Sequence, residues 1–319
     1  MSILPDFNMG PSKLTHLLIA GSTGSGKSRI LHALICRLAA AHAPDEIRFV
    51  LHDPKCVEFG PYASLPHLAC PVVRDAADFA RVLRSVVKEV ERRTKARAEA
   101  SDATVWKGNT PTLVIVSDET SDVLLHALDA ALADILHLLE AGPAVGVHLV
   151  LATSRWCADY WPDLSTHVPA RIVGRVPSQT DSREVLGVPG AERLRGHGDM
   201  LFCIKGTTPV RMKGIFLSDE DIHLVVSSAA QRYSGVRPLF DLFASHSFPS
   251  PNPQNQAHAL ESDLQRARDL VSRTGRISIA HLQRHLGIGY VYAEQLADIL
   301  RKHVTSPAVI RTHIGRSCF

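Results

Sequence analysis

An α/β fold built on a mostly parallel sheet is the architecture that this 319-residue sequence predicts, and three observations predict it. Gly21-Ser22-Thr23-Gly24-Ser25-Gly26-Lys27-Ser28 satisfies the phosphate-loop pattern G-x-x-x-x-G-K-[S/T] at every fixed position. The flanks suit that loop. Leu17-Leu18-Ile19-Ala20 reads as a buried parallel strand, and Arg29 to Leu38 carries apolar residues at helical spacing. Beyond it, apolar strand-like runs alternate with helical ones, the order of a sheet covered on both faces.

In chain order, residues 47–54 form the second strand, ending at Asp53. Residues 75–99 form a long amphipathic helix with Phe79, Val82, Leu83, Val86, Val87 and Val90 as its stripe. Its basic end, Arg92 to Arg97, reads as a solvated face. Residues 112–118 form the third strand, 123–140 a helix, 147–154 the fourth strand and 170–176 the fifth. A helix near 180–194 and strands at 199–205 and 209–217 follow. The predicted organisation is a phosphate-loop domain over 1–233 and a linker over 234–257 rich in Pro, Ser and Asn. A small domain over 258–319 completes it.

Composition narrows the class. Apolar residues make up 45% of the chain, enough for a core, and no run is long enough to span a bilayer. Residues 1–13 do not read as a signal peptide. Six cysteines lack any C-x-x-C pair, which points to reduced thiols and a cytoplasmic location rather than a disulfide frame or zinc site. The net charge of +3 is concentrated. Residues 258–319 hold nine basic and five acidic residues, against 26 and 27 in the remainder. A basic tail points to nucleic acid. Its residues read as helix (260–274), helix (278–286), a turn at 287–289, helix (290–303) and a short hairpin. That is the order of a winged helix-turn-helix, with a three-helix dimerisation module as the other reading.

The candidate chemistry follows from the loop. Gly24 and Gly26 let the backbone wrap a phosphate at a helix N-terminus, with Gly21, Ser22, Thr23 and Ser25 completing the cradle. Lys27 is placed to bridge the β- and γ-phosphates of ATP, and Ser28 to ligate Mg²⁺. Asp118-Glu119 closes the third strand at the carboxyl end of the sheet, where open α/β sheets bind ligands. Asp118 is the candidate metal partner and Glu119 the candidate for orienting the attacking water. Thr153 and Ser154, ending the fourth strand, are candidates to contact the γ-phosphate or that water.

Several stretches, in order, resemble the motor of the FtsK/SpoIIIE family of DNA translocases. They are His16 to Gly21 with the loop, Asp53-Pro54-Lys55 with Glu58, Leu65-Pro66-His67-Leu68, Glu91-Arg92-Arg93, Gly146 to Thr153, Asp181-Ser182-Arg183 and Gly198-Asp199-Met200-Leu201. Ile277–Gln295 resembles the family's DNA-reading winged helix. The resemblance implies a RecA-like motor that hydrolyses ATP and assembles as a homo-hexamer around double-stranded DNA. A neighbour's arginine would complete each site, with Arg171 or Arg183 as candidates. A separate membrane-anchored partner would replace the family's membrane region. Two departures bear on hydrolysis: Thr120-Ser121-Asp122 follows the acid pair where the family has an apolar-aromatic sequence, and Ser154 stands where it usually has Gln. In the tail Val291 and Tyr292 follow the turn, and Gln295 replaces an Arg. The expected DNA contacts are Arg284, Tyr292, Gln295, Arg301 and Arg311, mainly to phosphates. Two rival readings stay open: an ATP-regulated DNA-binding protein without motor activity, and a related conjugation or phage DNA-transfer ATPase.

Overall fold

The computed structural model describes residues 15–99, 110–121, 128–154, 164, 166–204, 206–240, 264–268 and 300. The chain divides into two compact units, 1–242 and 243–319. In the first, the strands are β1 (Leu17–Ala20), β2 (Ile47–His52), β3 (Thr112–Ser117), β4 (Val147–Thr153), β5 (Ala170–Val173), β6 (Asp199–Ile204) and β7 (Val210–Lys213). The helices are α1 (Lys27–Ala41), α2 (Ala76–Glu99), α3 (Leu128–Ala141), α4 (Gln179–Leu186) and α5 (Asp219–Arg232). The strands form one seven-stranded sheet in the order β2-β3-β4-β1-β5-β6-β7. The first five are mutually parallel, and β6 and β7 run antiparallel at one edge.

Strands β1 to β5 are buried along their whole length. That is why their sequences are continuously apolar rather than alternating. Alternate residues serve opposite faces. Leu18 and Ala20 join the core under α2 and α3, with Phe79, Val86, Ile135 and Leu138. Leu17 and Ile19 join the core under α1 and α5, with Ile30, Leu34, Phe49 and Phe59. Each fully buried Leu or Phe contributes about 1.5–3 kcal/mol by leaving water. β1 is buried on both faces and paired on both edges, so the loop it leads into starts from a fixed strand end.

Three expectations change. The helix expected over 180–194 ends at Leu186, because Gly187 takes a left-handed conformation (φ 81°) and caps it; only a 3₁₀ turn follows, at Ala191–Arg193. The basic end of α2 is not wholly a solvated face. Arg93 is buried, donating to Glu89 (2.7 Å) and the Val145 carbonyl (3.1 Å). The stretch expected to open the linker is tied to the first unit. Arg48 donates to the Arg237 carbonyl (3.1 Å), and the Phe240 N–H donates to that of Ala69 (2.9 Å). Of the second unit the structure describes a helical stretch at 264–268, inside the helix expected over 260–274. The winged-helix expectation, with Arg284, Tyr292, Gln295, Arg301 and Arg311, lies outside the described residues.

Candidate functional site

The loop after β1 meets the N-terminus of α1 at the carboxyl end of the sheet. Gly26 caps α1 with φ 105°, a conformation that L side chains rarely adopt. A Cβ there would lie 2.8 Å from the Gly198 backbone nitrogen. Glycine is required twice over, by torsion and by space. The 196–198 segment buttresses the loop from behind: His197 N–H donates to the Gly24 carbonyl (3.1 Å) and Gly198 N–H to that of Ser25 (2.9 Å). Beyond the end of β5, the Arg175 carbonyl accepts the Ser22 N–H (2.8 Å). The helix opens with no acidic residue in its first turn, and its first N–H groups have no partner within the helix. The result is an anion cradle made of backbone and held on three sides.

Lys27 is buried in this cradle, and its Nζ donates to the carbonyls of Gly21 (2.8 Å) and Ser22 (3.3 Å). Burial pulls its pKa down, opposed by the charges of Glu119 and Asp118. The three charges therefore share one electrostatic space. The acids, however, do not come from the strand next to β1, because β4 lies between β1 and β3. Glu119 crosses that gap through Ser154 at the end of β4. Ser154 donates to its carboxylate from both Oγ and the backbone N–H (3.0 Å), and Ser121 Oγ adds a bond of 2.7 Å. Lys55 Nζ lies 3.3 Å away. Burial would raise the Glu119 pKa, but the hydrogen bonds from Ser154 and Ser121 outweigh it and hold the group below its ordinary value. Glu119 is thus a buried, fixed, ionised carboxylate.

Asp118 is the opposite case. It is 6% exposed, and its carboxylate has no hydrogen-bond partner among the described residues. Burial, then the charge of Glu58, push it up to about 6. An unpaired buried carboxylate beside a second one is an arrangement that a cation relieves. Ser28 and Asp118 offer hard oxygen donors, the type Mg²⁺ takes.

The other expected residues separate. Thr153 is buried in β4, in register with Ala20, and its carbonyl accepts the Gly21 N–H (3.3 Å). Arg171 sits inside the sheet on β5, buried, donating to the carbonyls of Val168 and Val185. Arg183 is exposed on α4. Its neighbours Asp181 and Ser182 serve the fold. Asp181 and Ser178 form the capping box of α4, and Ser182 ties Val188 to Ala191. Sequence reasoning marked Asp53, Lys55 and Glu58 as part of the family resemblance but gave Lys55 and Glu58 no chemical role. The Asp53 carboxylate caps the N–H groups of Val57, Glu58 and Phe59 (3.3, 2.9 and 2.8 Å), shaping the turn that carries the other two.

Comparisons with known proteins bear on the family and the fold. Residues 6–101 match the model of the FtsK/SpoIIIE family. The chain is 35% identical over 300 residues to the DNA translocase FtsK of Caldanaerobacter subterraneus subsp. tengcongensis, covering 91% of this chain and 42% of that protein. It is 32% identical over 309 residues to the DNA translocase SpoIIIE of Bacillus subtilis, covering 91% and 38%. The chain therefore spans about two fifths of the length of these curated relatives. Among solved structures, the cytoplasmic domain of the Thermomonospora curvata type VII secretion ATPase EccC matches with TM-score 0.62 and 28% identity, over 70% of this chain and 28% of that one. The conjugation coupling protein TcpA of pCW3, solved as a monomer with ATPγS, matches with TM-score 0.61 and 23% identity, over 69% and 65%, and shares the fold. Among the described residues no helix is long and apolar enough to cross a membrane. By its matched segment, and along nine tenths of its length, the chain is similar to members of the FtsK/SpoIIIE family.

Proposed function

We propose that this chain is an ATP-driven motor acting on double-stranded DNA. The observation that carries the reading is the opposed pair of Lys27 in a backbone anion cradle and Glu119, buried and held ionised across β4. Phosphoryl transfer to water needs a fixed cation for the transferred phosphate and a fixed base for the water. In this reading the glycines of residues 21–26 take the phosphates of ATP, and Lys27 turns from its two loop carbonyls to the β- and γ-phosphates. Ser28 and Asp118 hold Mg²⁺, which when bound offsets charge on the phosphates. Glu119 receives the proton of the attacking water or polarises it, and Ser154 keeps it aimed. Thr153 backs the same strand end.

The substrate class rests on the relatives, which are named DNA translocases, and on the basic tail. We assign residues 258–319 to a winged-helix DNA-binding domain in which Arg284, Arg301 and Arg311 contact phosphates and Tyr292 and Gln295 face bases. A homo-hexamer around the duplex would place each nucleotide between subunits. Arg183 is then the arginine offered to the neighbouring site, since Arg171 spends its guanidinium on carbonyls of its own chain. A membrane-anchored partner is part of the same proposal. The test is ATP turnover by the full chain with and without long duplex DNA, with particle size measured alongside. Turnover that DNA leaves unchanged points instead to a DNA-binding protein regulated by ATP.

A further inference from the structure

The neighbourhood of Asp118 contains a carboxylate that the phosphate-loop chemistry leaves without a role. Glu58 lies on the turn after β2, where the Asp53 carboxylate accepts its N–H at 2.9 Å. Its side chain reaches α1. His32 Nε2 stands 3.1 Å from Glu58 Oε2, and His32 Nδ1 stands 2.9 Å from the Tyr62 hydroxyl. A carboxylate only accepts, so Nε2 carries the proton, and Tyr62, stacked on the imidazole at 5.7 Å between ring centroids, donates to Nδ1. Cys36 Sγ, 3.4 Å from the Tyr62 oxygen, extends the chain. His32 is one helical turn beyond Ser28, so both project from the same face of α1. Ser28 thus stands on the α1 face that carries the His32–Glu58 pair.

Two consequences follow. A serine hydroxyl on that face can give its proton to the carboxylate and keep its lone pairs for a cation. And Lys55, on the same turn as Glu58, reaches Glu119 at 3.3 Å, so that turn stands against the strand end of Asp118, the buried carboxylate without a hydrogen-bond partner among the described residues. A surface ion pair with His32 would explain His32 and Glu58 alone. It would leave unexplained why the turn carrying that carboxylate is packed against both α1, one helical turn from Ser28, and the strand end of Asp118 and Glu119.

We infer that Glu58 is the second carboxylate of the cation centre. With Ser28 and Asp118 it holds the hydrated magnesium ion that accompanies nucleotide, and His32, itself held by Tyr62, is its positioning residue. The inference rests on the ATP reading above and extends it. Carboxylates that orient a bound ion and its waters through hydrogen bonds set metal affinity even where they are not direct ligands, with losses of about 10–100-fold on removal.

The test separates metal from nucleotide. A fluorescent ATP analogue is bound to the full chain in EDTA, and then with increasing Mg²⁺. In Glu58→Gln the Mg²⁺ concentration at half-maximal tightening rises about 10–100-fold, while affinity in EDTA is unchanged. In His32→Gln it rises several-fold, because the carboxylate remains but is no longer held. Mn²⁺ binding followed by electron paramagnetic resonance moves in parallel. Unchanged Mg²⁺ midpoints in both variants overturn the inference and leave Glu58 a structural partner of His32. If Glu58→Gln does not fold, His32→Gln and Glu58→Asp decide by the same midpoint. Failure of the wild-type chain to bind the analogue at all defeats the ATP reading itself, a result no Glu58 variant can mimic.

Discussion

The two walls of the site are built by different means. On the β1–α1 side, backbone does the work: glycines in left-handed torsions, the Arg175 carbonyl and the N–H groups of residues 197 and 198 lock the loop. On the β2–β3 side, side chains do it. Glu119 is held by Ser154, Ser121 and Lys55, and Glu58 by His32, while Asp118 is held by no hydrogen bond among the described residues. A backbone wall recognises what every phosphate shares and tolerates little change. In the proposed ATP reading the side-chain wall would set the rate and the ion, and it could be tuned one hydrogen bond at a time.

The largest expected effect breaks the backbone wall's one side-chain charge. Lys27→Ala removes the loop's cation, abolishes ATP hydrolysis and greatly weakens ATP binding, read by turnover and by nucleotide titration. Next, Glu119→Gln breaks the other wall. It keeps ATP and Mg²⁺ binding but slows turnover by about 10²–10⁴-fold, so that a filter-bound complex with unhydrolysed ATP accumulates. If both variants lose binding equally, the two walls are not functionally distinct. Ser154→Ala sharpens the comparison. It removes a hydroxyl bond to a charged group, worth about 1.5–3 kcal/mol, so kcat falls about tenfold or more while the KM for ATP stays put. Equal changes in kcat and KM would show that Ser154 binds nucleotide rather than aiming Glu119.

Gly26→Ala tests rigidity instead of chemistry. The strained torsion costs about 1–3 kcal/mol, and the 2.8 Å clash with Gly198 adds to it. The melting temperature falls, and added ATP restores less of it than in the wild type. The smallest effect concerns the tail. Replacing Arg284, Arg301 and Arg311 together by Gln lowers the salt slope of duplex binding by about one for each phosphate that is no longer neutralised, with little change in sequence preference. An unchanged slope would move the DNA-binding surface elsewhere.

The same contrast explains what the sequence made legible. The backbone wall is local: residues 17–38 are contiguous, and a loop needing glycine at fixed offsets leaves a pattern. The parallel strands were legible because burial on both faces demands unbroken apolar runs. Asp118 and Glu119 were legible as acids at a strand end, although not the β4 strand standing between them and β1. The side-chain wall is tertiary. His32 and Glu58 are 26 residues apart, and Glu119 and Ser154 are 35 apart. No spacing rule connects them. Ser154 drew notice as a departure from the family, and only the fold shows its hydroxyl on Glu119. Arg171, at the start of a strand, had the same standing in sequence as Arg183. Burial and two carbonyl acceptors distinguish them.

The most direct measurement is steady-state ATP turnover by the full chain, with Mg²⁺, in the absence and presence of long duplex DNA. A DNA-driven motor predicts turnover that rises steeply with duplex and vanishes in Glu119→Gln. Turnover that is indifferent to DNA, or that persists in Glu119→Gln, would contradict it.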